Sequence, residues 1–158
     1  MQISPLQLDA FWIGKVVLEP AAQPIVPNAQ VKIETIPAFR RNDADPHIWI
    51  VELRVVFTSA DGTKVPYEGS VEMTGVFKVI GDPPEEKQME IVAVNGPSIL
   101  YSSVREFVAM LTAHGPNGKF ILPSVSFIDQ KLFMPTKQVQ EARANLQASV
   151  ASPDITRS

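Results

Sequence analysis

Side chains able to do chemistry near neutral pH are scarce in this sequence. It holds two histidines, His47 and His114, the only groups whose unperturbed pKa lies close to neutrality. His114 follows an apolar helical stripe, where a positive charge suits the negative end of a helix. His47 opens an alternating strand pattern, and no neighbouring charge in the sequence would perturb it. Cysteine is absent, and no His-x-x-x-His or Cys/His spacing offers a metal site. The glycine loops that cradle phosphates and the G-x-S-x-G nucleophile turn are missing too. Glu52, Glu68 and Glu72 fall on the polar side of alternating strands, where solvent keeps carboxylate pKa values ordinary. These residues imply no catalytic group, no metal and no cofactor, and a protein that binds rather than an enzyme.

The charge balance narrows what could be bound. Fourteen Lys and Arg stand against 17 Asp and Glu for a net charge of -3, and the signs are interleaved, so no basic field for nucleic acid arises. Zero cysteine suits a reducing compartment, and the expected location is cytoplasmic. Residues 1–9 lack a signal peptide's basic start and apolar run, and no stretch nears the roughly 18 apolar residues of a membrane helix. The length of 158 residues fits one domain, expected over residues 1–151, with a polar tail at 152–158.

The elements that must carry any binding surface can be read from periodicity. In residues 6–19, Leu6, Leu8, Ala10, Trp12, Val16 and Leu18 share one parity, which predicts one face of a strand. Prolines 20, 24 and 27 end it, and a shorter strand is expected around residues 30–36. Residues 40–46 read as a loop. The clearest hairpin follows: Trp49, Val51, Leu53, Val55 and Phe57 on one face, a turn at Asp61-Gly62, and a return strand over 64–80 with Val65, Tyr67, Val71, Met73, Phe77 and Val79 inward.

Residues 81–90 read as an exposed loop. Leu100, Val104, Phe107, Val108 and Leu111 then form a helical stripe ended by Gly115-Pro116. Ile99, Met110 and Ala113 make a second apolar side, which predicts packing on the sheet and on a partner subunit. Residues 117–127 read as irregular, and Thr136 can cap a last helix carrying Val139, Ala142, Leu146 and Val150. The expected fold is α+β, a four-stranded antiparallel sheet with a long helix and a C-terminal helix on one face.

Apolar surface exceeds what such a core requires. Val31, Ile33, Trp49, Phe57, Leu132, Phe133 and Met134 are each readable as core, but together they suggest a groove. The strings LQLDAFWIGKVVLEP, WIVELRVVFTSADG, GVFKVIG, GPSILYSSVREFV, LPSVSF and LFM, in that order over residues 6–134, resemble the SecB family of bacterial protein-export chaperones. The resemblance implies a homotetramer, a dimer of dimers built through sheet edges and long helices, that holds unfolded or precursor polypeptides without ATP. It assigns Val31, Ile33, Trp49, Phe77, Leu132, Phe133 and Met134 to the client groove or its margin, Phe77 being readable as core as well.

The same resemblance implies that an acidic sheet face docks the translocase motor SecA. The matching positions are Lys15, Glu19 and Ser70, where the family pattern is acidic at all three, so only Glu19 keeps its sign. Glu68 and Glu72 flank Ser70 on that face and could supply negative potential in a shifted place. Holding clients is therefore better supported than handing them to a motor. Two alternatives stand beside an export chaperone: a SecB-like chaperone dedicated to one client, such as the antitoxin of a toxin-antitoxin pair, and a small-ligand carrier.

Overall fold

Alternation of side chains is cleanest in the two central strands, and they form the middle of the sheet. In the computed structural model, which describes residues 3–22, 28–60 and 63–128, β3 (Ile48–Ser59) pairs antiparallel with β4 (Tyr67–Val79), Trp49 opposite Phe77 and Val55 opposite Val71. Odd-numbered residues of both strands face the core: Val51, Leu53, Val55, Phe57, Met73 and Phe77 are all at most 1% exposed. β1 (Leu6–Pro20) adds to the outer side of β4 and β2 (Val31–Arg41) to the outer side of β3, giving the antiparallel order β1-β4-β3-β2. The chain thus crosses an end of the sheet between β1 and β2, a Greek-key connection.

The four strands expected from the sequence are present, with two corrections. The single-parity face assigned to residues 6–18 is broken by register shifts between Leu8 and Ala10 and between Ile13 and Lys15. Each inserted residue reverses which side the strand presents. Leu6, Leu8, Phe11, Ile13, Val16 and Leu18 consequently share the core side, while Ala10 and Trp12 lie on the opposite one, beside Val76 and Thr74. The second strand runs five residues beyond its expected end, through Pro37 to Arg41. As an edge strand it tolerates a residue without an N–H.

The helix needs a larger correction. α1 (Glu85–Thr112) starts inside the segment read as an exposed loop and runs straight through Gly96-Pro97. Glu85 and Glu86 in its first turn suit the positive end of the helix dipole. An interior proline costs about 3 kcal/mol, which the packing of this turn on the sheet offsets. Gly96 lets the helix backbone approach Val51, since a Cβ there would stand 3.1 Å from Val51 Cγ2. Val92, Leu100, Val104 and Val108 continue the buried stripe. The helix ends at Thr112, ahead of Gly115-Pro116 as expected. The expected C-terminal helix, the Asp61-Gly62 turn and the polar tail lie outside the described residues.

Candidate binding groove and open sheet face

α1 lies mainly over β3 and β4, with a lesser contact on β1, so the core side of the sheet keeps two apolar margins. Along β2, Val31, Ile33 and Phe39 are half-buried and pack against the core. On β1, Phe11 is 52% exposed, with Ile13 and Val16 also open. The segment after α1 walls the β2 margin. Its Phe120 ring packs against Phe57 and Tyr67, with centroids 6.3 and 6.2 Å away, and Phe57 stands opposite Ile33 in the ladder.

Polar bonds strap this segment to the helix and sheet. Arg105 Nε donates to the Leu122 carbonyl at 2.8 Å, and Tyr101 Oη donates to the Pro123 carbonyl at 2.7 Å. Burial pushes the Tyr101 hydroxyl pKa upward against the opposing pull of Arg105, which keeps it a donor. The Phe120 N–H donates to Thr112 Oγ1. Asn117 Nδ2 donates to the carbonyls of Ala21 and Pro66 at 3.1 and 2.8 Å, and its backbone N–H donates to Tyr67 Oη at 2.9 Å. One side chain thereby ties the end of β1, the entry to β4 and the groove wall together.

Of the residues assigned to the groove, Val31 and Ile33 line the β2 margin. Trp49 and Phe77 are 4% and 0% exposed, and in this conformation both belong to the core under α1. Leu132, Phe133 and Met134 lie outside the described residues. The structure adds Phe39 and Phe120, which no single sequence signal marked. Arg41 caps one end of the groove floor: its guanidinium lies 5.8 Å above the Trp49 ring and 3.2 Å from the Glu85 carboxylate. His47 stands 3.9 Å from the exposed Asp82, and His114 is exposed beyond the end of α1. No cluster of metal-ligating side chains occurs among the described residues.

Among the described residues no helix packs on the opposite side of the sheet. The ladder brings Lys15 beside Glu72, Val17 beside Ser70, and Glu19 beside Glu68, so the five positions assigned to motor docking do share this open face. Their charges are largely committed. Glu72 pairs with Arg54 at 3.7 Å. Glu68 Oε1 accepts the Ser59 N–H at 2.7 Å, and hydrogen bonds from Ser59, with help from Lys64, hold its pKa below the ordinary carboxylate value. Among the residues that the register places, the face carries Lys15, Lys32, Arg40, Arg54 and Lys78 against Glu19, Glu34, Glu52, Glu68 and Glu72, five to five, with exposed Asp9 at the first bulge outside that register.

A family model described as preprotein translocase subunit SecB matches residues 3–140. The chain belongs to the SecB family. Among solved structures, a Mycobacterium tuberculosis SecB-like chaperone in complex with a ChAD peptide from an antitoxin is 20% identical, with a TM-score of 0.60, over 77% of this chain and 91% of that one. A Streptococcus agalactiae protein of unknown function is 11% identical over 75% of this chain and 97% of that one, with a TM-score of 0.41. No curated protein matches. SecB membership and the first likeness agree with the observed architecture, a four-stranded antiparallel sheet under a long helix, and support a chaperone role. None of the helices among the described residues is long and apolar enough to cross a membrane.

Proposed function

We propose that this SecB-family chain is a nucleotide-independent, cytoplasmic holdase that binds unfolded polypeptide along the β2 margin and performs no chemistry on it. The observation that carries the reading is an apolar strip, Val31, Ile33 and Phe39, left half-open beside α1 and walled by a strapped segment. An apolar side chain buried there gains on the order of 1.5–3 kcal/mol, and several weak contacts along one client add to high avidity without sequence specificity. Assembly as a dimer of dimers would multiply the strips. The exposed apolar residues of β1 and of the outer helix surface, Met110 at 58% exposure among them, support that assembly.

A slowly refolding client tests this directly. The protein should suppress its aggregation without nucleotide, and Val31→Ser with Ile33→Ser should cut suppression several-fold at unchanged circular dichroism. Suppression unaffected by the pair would remove the β2 margin from the binding site.

The destination of the client is a separate question, and one observation favours a second reading. A face with five positive and five negative charges offers a basic motor little attraction, and a similar SecB-like chaperone was solved with an antitoxin peptide. A chaperone dedicated to one client therefore stands beside a general export chaperone. Mass spectrometry of polypeptides retained by the purified protein separates them: many precursors with signal peptides indicate export, and one small partner indicates dedication.

A further inference from the structure

The open face of the sheet is arranged in six rows that cross the strands, and their charges follow an order. From one end, the row of Lys78 carries plus one, that of Arg40 plus one, that of Glu52 minus one; then Lys15, Glu72 and Arg54 sum to plus one, Glu34 gives minus one, and Glu19, Glu68 and Lys32 sum to minus one. Among the register-paired residues, reversing the order of rows changes every sign; Asp9, at the bulge beside Ala10, belongs to no row. A surface with that antisymmetry is complementary to itself when turned end over end.

We propose that this face docks a second copy of the chain, sheet against sheet, about a two-fold axis lying across the strands. Each strand then stacks antiparallel on its own counterpart. Arg40 meets Glu34 and Lys78 meets Glu68, while at the centre Glu52 meets Arg54. The uncharged positions match as well: Ala38 falls on Ile36, Ile50 on Val56 and Ala10 on Val17. Trp12, 51% exposed, comes over Lys15, a cation–π arrangement. No like charges meet. A two-fold axis along the strands is excluded by the same register, since it would set Arg40 on Ala10, Lys15 on Ile36 and Glu34 on Val17.

The dimensions suit an interface. Four strands about 4.8 Å apart and six rows about 6.7 Å apart span roughly 600–700 Å² per copy, close to the ~800 Å² per partner of a standard interface. Twisted sheets stack at about 30° at a separation of about 10 Å, so contact is closest in the two central rows, and long side chains such as Arg40 and Glu34 bridge the diverging ends. The exposed edge of β1 and the outer surface of α1 stay free for other assembly. The face cannot hold a motor and a second copy together, so self-docking and delivery compete.

Charge swapping tests the arrangement. Arg40 and Glu34 lie six residues apart on one strand, about 20 Å, too far to touch within a chain, and neither makes an ion pair among the described residues. Sedimentation velocity over a concentration series should show reversible, concentration-dependent growth of the basal assembly, continuing past one doubling where helix-joined sheets leave an open face on each side. Arg40→Glu and Glu34→Arg should each weaken it at least tenfold, because every contact occurs twice across a two-fold axis, and the double variant should restore it. Trp12 emission should shift to the blue as this growth proceeds. Wild-type protein whose mass does not rise with concentration, single variants that grow normally, or a double variant that fails to recover would each overturn the proposal. Both positions are solvent-exposed, so an unchanged circular dichroism spectrum separates these outcomes from misfolding.

Discussion

Removing the Asn117 carboxamide should loosen three segments at once. Its Nδ2 bonds to Ala21 and Pro66 span sequence separations of 96 and 51 residues, so neither is replaced by local structure when the side chain is cut back. The Pro66 carbonyl keeps one partner, the Ala21 N–H at 3.0 Å, and the Tyr67 bond survives because it uses the Asn117 backbone. Asn117→Ala thus deletes two part-buried hydrogen bonds, each about 0.5–1.5 kcal/mol net. The expected loss is about 2 kcal/mol, or roughly 4–8 °C in Tm for a chain of this size. Urea and thermal unfolding measure it. Asn117→Asp should be worse above the carboxylate pKa, since it presents an acceptor to two carbonyl oxygens, and should recover part of the loss on acidification, when the neutral acid can donate once. A loss below about 0.5 kcal/mol for the alanine variant, or equal stability of the two variants near neutral pH, would refute the argument that these bonds secure the groove wall.

Gly69→Ala should cost about 2–3 kcal/mol or more of stability, read as a lower urea midpoint, because a Cβ there overlaps the Val17 carbonyl oxygen and stands 2.9 Å from its carbon, and backbone cannot move aside as a side chain can. Glu68 has a lowered pKa in the folded chain, so its contribution is complete above the unfolded value and is lost as pH falls through the folded one; Glu68→Gln should flatten that part of the acid limb in urea titrations followed from neutral pH downward. Met110→Asp should leave the unfolding midpoint of dilute protein unchanged while reducing the mass seen by light scattering, since Met110 is open in the single chain and an unpaired charge in a buried interface costs several kcal/mol. An unaltered mass would place that helix surface outside the assembly.

The parts of the fold legible in the sequence are those where one periodicity holds without interruption. β3 and β4 alternate cleanly because one side is core and the other is not, and both strands follow the pattern. β1 departs from its single-parity pattern because period 2 survives a bulge only with its parity reversed, and neither Asp9 nor Gly14 distinguishes a bulge from an ordinary strand residue. The first half of α1 hid behind Pro83-Pro84 and Gly96-Pro97, which are turn signals in isolation. Here the first pair precedes the helix, and the second is held in it by contact with Val51, a residue 45 positions earlier. In the site, Val31 and Ile33 could be named from excess apolar surface, but composition could not distinguish them from Trp49 and Phe57, which are buried in the core as is Phe77, the position the resemblance added. Arg105 and Asn117 left no trace, since a bond to a distant carbonyl imposes no spacing on its neighbours.

The two edges of the sheet are treated differently, and that difference determines where the chain can grow. β2 is guarded: Pro37 interrupts its row of donors, and Lys32, Glu34 and Arg40 project from it into solvent. These are the features by which natural edge strands resist further pairing. β1 has a longer edge with no proline before Pro20, and it exposes Phe11, Trp12, Ile13, Val16 and Val17 on its two sides. An unpaired edge of that length and composition is an aggregation hazard in a lone chain. If a second copy pairs β1 to β1, as the proposed dimer of dimers requires, both outer edges of the resulting sheet are β2 and pairing stops after one step. The same arrangement keeps the β2 margins, with their half-open apolar strips, at the two ends of the enlarged sheet. Client binding and self-assembly then use opposite edges of one sheet, so neither need obstruct the other.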